Sequence, residues 1–255
     1  MTAYLKLAKL IVFSFADVEE LTHNKKTSYS LVNRMIHKGL VKKIKSDLFS
    51  CVNPATGDVF ASKFQIACKS SATAYISHHS AFEYYGIKNQ ISYEVIASSK
   101  NPFKQFEFEG MSYKCISSKI DVGIIQPNHS ELIRVTDLER TVVDSIKDMD
   151  KTGGLEELLN CLSLLHFLDA EKLKIYLDVY GTQALYQKTG LLLEHYAKEL
   201  QIPAAFLEYC SSKIDKSTRY LSKELIHNGV YSSKWRLVVP VGLFKITEQG
   251  GSEFV

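Results

Sequence analysis

Residues 24 to 54, NKKTSYSLVNRMIHKGLVKKIKSDLFSCVNP, set short polar side chains and lysines at a spacing suited to reading DNA. At 100° per residue, Val32, Met35 and Ile36 fall on one side of a helix, and Lys26, Ser30, Asn33, Arg34 and His37 on the other. Laid in the major groove, such a helix presents Ser30, Asn33 and His37 to base edges, where amide, hydroxyl and imidazole groups match the donor and acceptor pattern. Lys25, Lys26, Thr27 and Arg34 then approach phosphates, and Ser28 stands beside them in the first turn. Lys42, Lys43 and Lys45, just downstream, hold the flanking backbone. The plainer alternative is a small packing module with solvated lysines.

These residues need two helices and a hairpin to position them. Thr27 or Ser28 is expected to cap the helix, Gly39 to stop it, and FADVEELTH to supply a preceding helix through Val18 and Leu21. After Gly39 the pattern LVKKIKSDLFSCV places Leu40, Ile44 and Leu48 to Val52 around a Ser46-Asp47 turn, as in a β-hairpin. The order predicts a winged helix-turn-helix over residues 1–58. Charge agrees: residues 1–53 hold nine Lys and Arg against four Asp and Glu, a net +5 in a chain of net +3, which leaves −2 for the rest.

Residues 59–152 read as a mixed α/β region. YISHHSAFEYYGI predicts a helix from near Ser77 to Gly86, and SYEVIASS, FKQFEFE and SYKCISSK alternate as strands, the last two joined at Glu109-Gly110-Met111. Thr136 with Glu139 forms a capping-box pattern before LERTVVDSIKDM, whose Arg140 and Asp144 are spaced as a surface i,i+4 pair. Gly153 and Gly154 mark the expected boundary to a mainly helical region, 153–255, that closes on a strand in KWRLVVPVGLF. The fold class expected is therefore α+β and multidomain.

Enzymatic readings find little support in the residue spacing. His78 and His79 are adjacent, so they diverge on a helix, and no Cys, Asp or Glu stands at ligand spacing with them. Glu107, Glu109, Lys114 and Asp121 resemble a scrambled nuclease set without a tight acid-x-lysine spacing, and phosphate-loop, nucleophile-elbow and zinc-protease motifs are absent. The expectation is a chain without catalytic residues, cofactor or metal; a winged-helix protein with a nuclease-like middle region is the runner-up. Five scattered cysteines argue against a disulfide framework, and no window approaches the run of apolar residues a membrane helix needs, so a reducing cytoplasm is expected.

The order of these segments resembles the AbiE-type antitoxins, regulators of bacterial abortive-infection toxin-antitoxin pairs. The resemblance covers most of the chain and is most specific from Thr136 to Gly154, where VTDLERTVVD precedes GGLEE; Arg34 is the one arginine where family members often carry several. It implies a transcriptional repressor that binds inverted repeats in double-stranded DNA of its own promoter. It further implies antagonism of a nucleotidyltransferase-like toxin without a stable complex. Arg219, Lys223, Lys234 and Arg236 are the basic candidates for contact with DNA or another partner in the C-terminal region.

Overall fold

Side-chain caps decide where the first helices begin. The computed structural model describes residues 2–87, 90–128, 130–222 and 229–245, and it divides into two units, each assembled from separate chain segments: 1–76, 92–119 and 126–134 in the first, 77–91, 120–125 and 135–255 in the second. The chain is α+β. These units do not coincide with the expected divisions after residues 58 and 152, because residues 92–119 and 126–134 return to the first unit.

In the first unit, α1 (Ala3–Leu10), β1 (Val12–Phe13), α2 (Phe15–Thr22) and α3 (Lys25–His37) precede a hairpin of β2 (Val41–Lys45) and β3 (Leu48–Cys51). Ser14 and Asp17 form a reciprocal capping box at α2. The cap of α3 is Asn24, whose Oδ1 accepts from the Thr27 amide at 3.0 Å; the expected caps, Thr27 and Ser28, lie inside the helix. Gly39, at φ 67°, ends that helix in the left-handed conformation while the Leu40 amide closes onto Met35 O at 2.9 Å. β3 lies between β1 and β2, and Leu7, Phe13, Val18, Val32, Met35, Val41 and Phe49 form one core. Beyond it come α4 (Lys63–Lys69), β4 (Tyr75–Ile76), β5 (Glu94–Ser99), β6 (Phe106–Phe108) and β7 (Met111–Ser117), with the strands ordered β6-β7-β5-β4 and β5 parallel to β7. Glu109 and Gly110, both at positive φ, make the β6–β7 turn where it was expected.

The second unit begins with α5 (His78–Tyr84) and the antiparallel pair β8 (Ile124–Ile125) and β9 (Val135–Thr136). Then follow α6 (Leu138–Lys147), a 3-10 turn (Met149–Thr152), α7 (Leu155–Ser163), α8 (Ala170–Tyr180), α9 (Gln183–His195) and α10 (Ala204–Ser212). A small sheet of β10 (Arg219–Tyr220), β11 (Val230–Ser232) and β12 (Leu237–Val239) completes it, with β12 central. Gly153 and Gly154 are an internal turn rather than a boundary, since Val142, Val143 and Ile146 before them share one core with Leu158, Leu159 and Leu162 after them. Asp137, not Thr136, caps α6, accepting from the Arg140 amide at 2.9 Å, because Thr136 is engaged in β9. Gly190 of α9 is in contact with the Trp235 indole: a Cβ there would stand 2.0 Å from the ring. Among the described residues, no helix is long and apolar enough to cross a membrane.

Candidate nucleic-acid interface

The amphipathic character of α3 divides its side chains sharply. Ser28, Val32 and Met35 are buried, while Lys25, Lys26, Thr27, Ser30, Asn33, Arg34 and His37 are exposed. Seven of the eight expected residues on α3 therefore face outward. Ser28 does not: at 1 % exposure its Oγ donates to Asn24 O at 2.9 Å and lies 2.7 Å from Thr22 Oγ1, so it fastens α2 to α3. α3 also opens on Lys25 and Lys26 with no acid in its first turn, which sets positive charge against the positive end of the helix dipole. A bound phosphate would reverse that local penalty.

The hairpin lysines do not act alike. Lys43 is exposed. Lys42 pairs with Glu109 at 2.5 Å, and Lys45 donates to Ser70 O at 2.8 Å with its ammonium 5.1 Å and 5.4 Å from the Phe103 and Phe106 ring centres. Burial lowers the Lys45 pKa, opposed by Cys115 and Asp47. A register shift between Lys43 and Lys45 breaks the strict alternation of β2, so that, among the described residues, a run that reads as one basic ribbon splits into one free cation and two tethered ones. Of the three lysines expected on phosphate, Lys43 is the one left unengaged among the described residues. Lys43→Ala should therefore weaken duplex binding and flatten the salt slope by about 0.9 without changing the melting temperature. Lys45→Ala should leave the slope alone and cost about 1–2 kcal/mol of first-unit stability, since a charge-assisted hydrogen bond and two ring contacts are lost; denaturant titration beside binding isotherms separates the two.

In the second unit Arg219 is exposed at the start of β10, Lys234 pairs with Glu194 beside the Trp235 ring, and the Arg236 guanidinium donates to Asp215 O at 3.5 Å. Lys223 lies outside the described residues. His79 Nε2 sits 3.1 Å from Glu157 Oε1, whereas His78 Nδ1 sits 2.9 Å from Ser77 Oγ and its Nε2 3.7 Å from Asp148 Oδ2. The neighbouring histidines thus serve different partners. Glu109 is taken by Lys42, and Lys114 by Glu94, so the nuclease-like set is not assembled around one point. Among the described residues, no group of three or more His, Cys, Asp or Glu is arranged to hold a metal ion. Burial pushes the Cys51 thiol up to about 11 and the Cys210 thiol to about 12, which leaves both unreactive at neutral pH.

A buried polar assembly between α6 and α8 escapes the sequence reading. Arg140, expected on a surface, is fully buried: its Nε donates to Asp144 Oδ1 at 2.7 Å, Nη1 to Val122 O at 2.7 Å and Nη2 to Tyr180 OH at 3.2 Å. Tyr180 OH donates to Asp144 Oδ1 at 2.5 Å, and Tyr176 OH to Asp137 Oδ2 at 2.6 Å. Burial and the nearby carboxylates raise both hydroxyls well above the usual tyrosine value, so they remain protonated donors. Gly123 is enclosed by Tyr176 and Arg140; a Cβ would stand 2.7 Å from the former and 2.8 Å from the latter. The spacing 137, 140, 144 on one helix and 176, 180 on the other is the available signal: two polar stripes of helical period that need each other.

No protein-family model matches this chain, and no curated protein matches it. Among solved structures it is similar to the RV2827C protein from Mycobacterium tuberculosis, with a TM-score of 0.66 and 14 % sequence identity over 98 % of this chain and 93 % of that one. At that identity the likeness establishes a common fold.

Proposed function

We propose that this chain is a DNA-binding regulator and the antitoxin of a bacterial toxin-antitoxin pair, acting in the cytoplasm without catalytic turnover. In this reading α1 to β3 form a winged helix-turn-helix domain, with α3 as the recognition helix and β2–β3 as the wing. The carrying observation is the outward face of α3: Lys25, Lys26, Ser30, Asn33, Arg34 and His37 are exposed together and none makes an ion pair among the described residues. Lys25, Lys26, Arg34 and Lys43 grip phosphates, while Ser30, Asn33 and His37 face base edges. The remainder of the chain opposes a nucleotidyltransferase-like toxin through a functional antagonism that needs no stable complex. That half of the proposal rests on the resemblance of the Thr136 to Gly154 segment and its neighbours to AbiE-type antitoxins.

The test is fluorescence anisotropy of the full chain on the duplex upstream of its own gene against a scrambled duplex. Asn33→Ala should reduce discrimination between them by about 1–3 kcal/mol, the value of one good base contact, with nonspecific affinity preserved. Equal affinity of the unsubstituted chain for both duplexes would overturn the repressor reading. Co-expression with the adjacent nucleotidyltransferase-like gene, scored by growth, tests the antitoxin half; unchanged toxicity at verified soluble levels would overturn that half.

A further inference from the structure

The small C-terminal sheet carries a surface that the promoter-binding reading does not use. Tyr220 of β10 and Tyr231 of β11 are both register partners of Val238 on the central β12, so the three side chains form a row on one face. The neighbouring row, which contains Leu237, belongs to the other face, and Leu237 is fully buried in the core. The Tyr220–Val238–Tyr231 row therefore looks outward, with the tyrosines 42 % and 52 % exposed. Two inter-strand spacings put the rings' backbones about 10 Å apart.

The surroundings are strongly basic. The described residues of 213–245 hold six Lys and Arg against Asp215, and of the six Lys213 pairs with Asp178 and Lys234 with Glu194. Lys216 is exposed just before β10, and Arg236 lies two residues before Val238, whereas Arg219 is the register partner of Leu237 and belongs to the other row.

We infer that this sheet face binds single-stranded nucleic acid, with Tyr220 and Tyr231 stacking unpaired bases and Lys216 and Arg236 holding the backbone. Exposed tyrosines on a strand row offer flat, two-sided surfaces to bases, and adjacent cations meet the phosphates that accompany them. An apolar protein partner would have to desolvate those cations without compensation, and a duplex keeps its base faces stacked away from such a platform.

The experiment measures binding of the full chain to fluorescein-labelled oligo-dT and oligo-U 12-mers, with unlabelled blunt duplex as competitor. Tyr220→Ala and Tyr231→Ala should each weaken single-strand binding about tenfold, and Tyr→Phe at either position should retain it within about twofold. The DNA and RNA arms report whether the sugar is distinguished. Asn33→Ala on α3 should not alter single-strand binding, so loss of promoter recognition and loss of this site are separable. Unchanged Trp235 emission verifies that the variants are folded. The inference is overturned if both alanine variants bind like the unsubstituted chain, if duplex competes as well as single strands, or if the tyrosines instead support a concentration-dependent dimer in sedimentation that binds no single strand.

Discussion

Replacing Arg140 with methionine should destabilise the second unit by about 3–5 kcal/mol, because it strips a fully buried carboxylate, Asp144, of its ion partner. The loss is larger than the i,i+4 spacing suggests on an exposed helix, where such a pair contributes about 0.3–0.5 kcal/mol. Val122 O loses its donor, and among the described residues Tyr180 OH is left to donate to the Asp144 carboxylate. For a unit of this size the midpoint should fall by roughly 10–15 °C. The single tryptophan, Trp235, is buried in the same unit, so its emission reports the transition. Removing the charge pair together, Arg140→Met with Asp144→Leu, should recover much of the loss, since no uncompensated carboxylate is then buried. A melting curve for Arg140→Met within 1–2 °C of the unsubstituted chain would mean that the pair carries little of the unit's stability.

The salt dependence of promoter binding should show four phosphate contacts per chain rather than six. Lys25, Lys26, Arg34 and Lys43 are free to reach the duplex, whereas Lys42 is held by Glu109 and Lys45 by Ser70 O and two phenylalanine rings. At about −0.9 per phosphate, the slope of log K against log salt should be about −3.6 per chain, against about −5.4 if every lysine of the hairpin took part. Between 50 and 200 mM salt, affinity should then drop by about two orders of magnitude. Alanine at all four positions should remove nearly the whole slope. A slope near −5.4 would restore the tethered lysines to the interface, and a flat one would remove α3 from it.

Local pattern made much of this molecule legible. Period and punctuation located α3, its stop at Gly39, the hairpin after it and the β6–β7 turn, because each depends on residues within a few positions of one another. The outward face of α3 was legible for the same reason. Ser28 was misplaced because a serine can satisfy its hydroxyl on the preceding turn and then be buried at little cost. Lys42 and Lys45 were misplaced because Glu109 and Phe106, their partners, lie more than sixty residues on. Arg140 shows the same limit: its spacing to Asp144 is readable, but its burial depends on Tyr180 arriving from another helix. Nonlocal partners decide whether a charge is a ligand for something outside or a fastener within.

The chain passes between the two units five times, after residues 76, 91, 119, 125 and 134. During synthesis from the N-terminus, α1 to β3 emerge early, but the first unit cannot close until residue 134 has left the ribosome. By then its partner unit has only its first segments and none of α6 to α10. A nascent or truncated chain ending before Phe106 would display the basic α3 face without β6 and β7, so Glu109 and Phe106 would not yet restrain the hairpin lysines. Under the proposed DNA-binding reading, the number of unrestrained hairpin cations would fall once translation has passed Glu109.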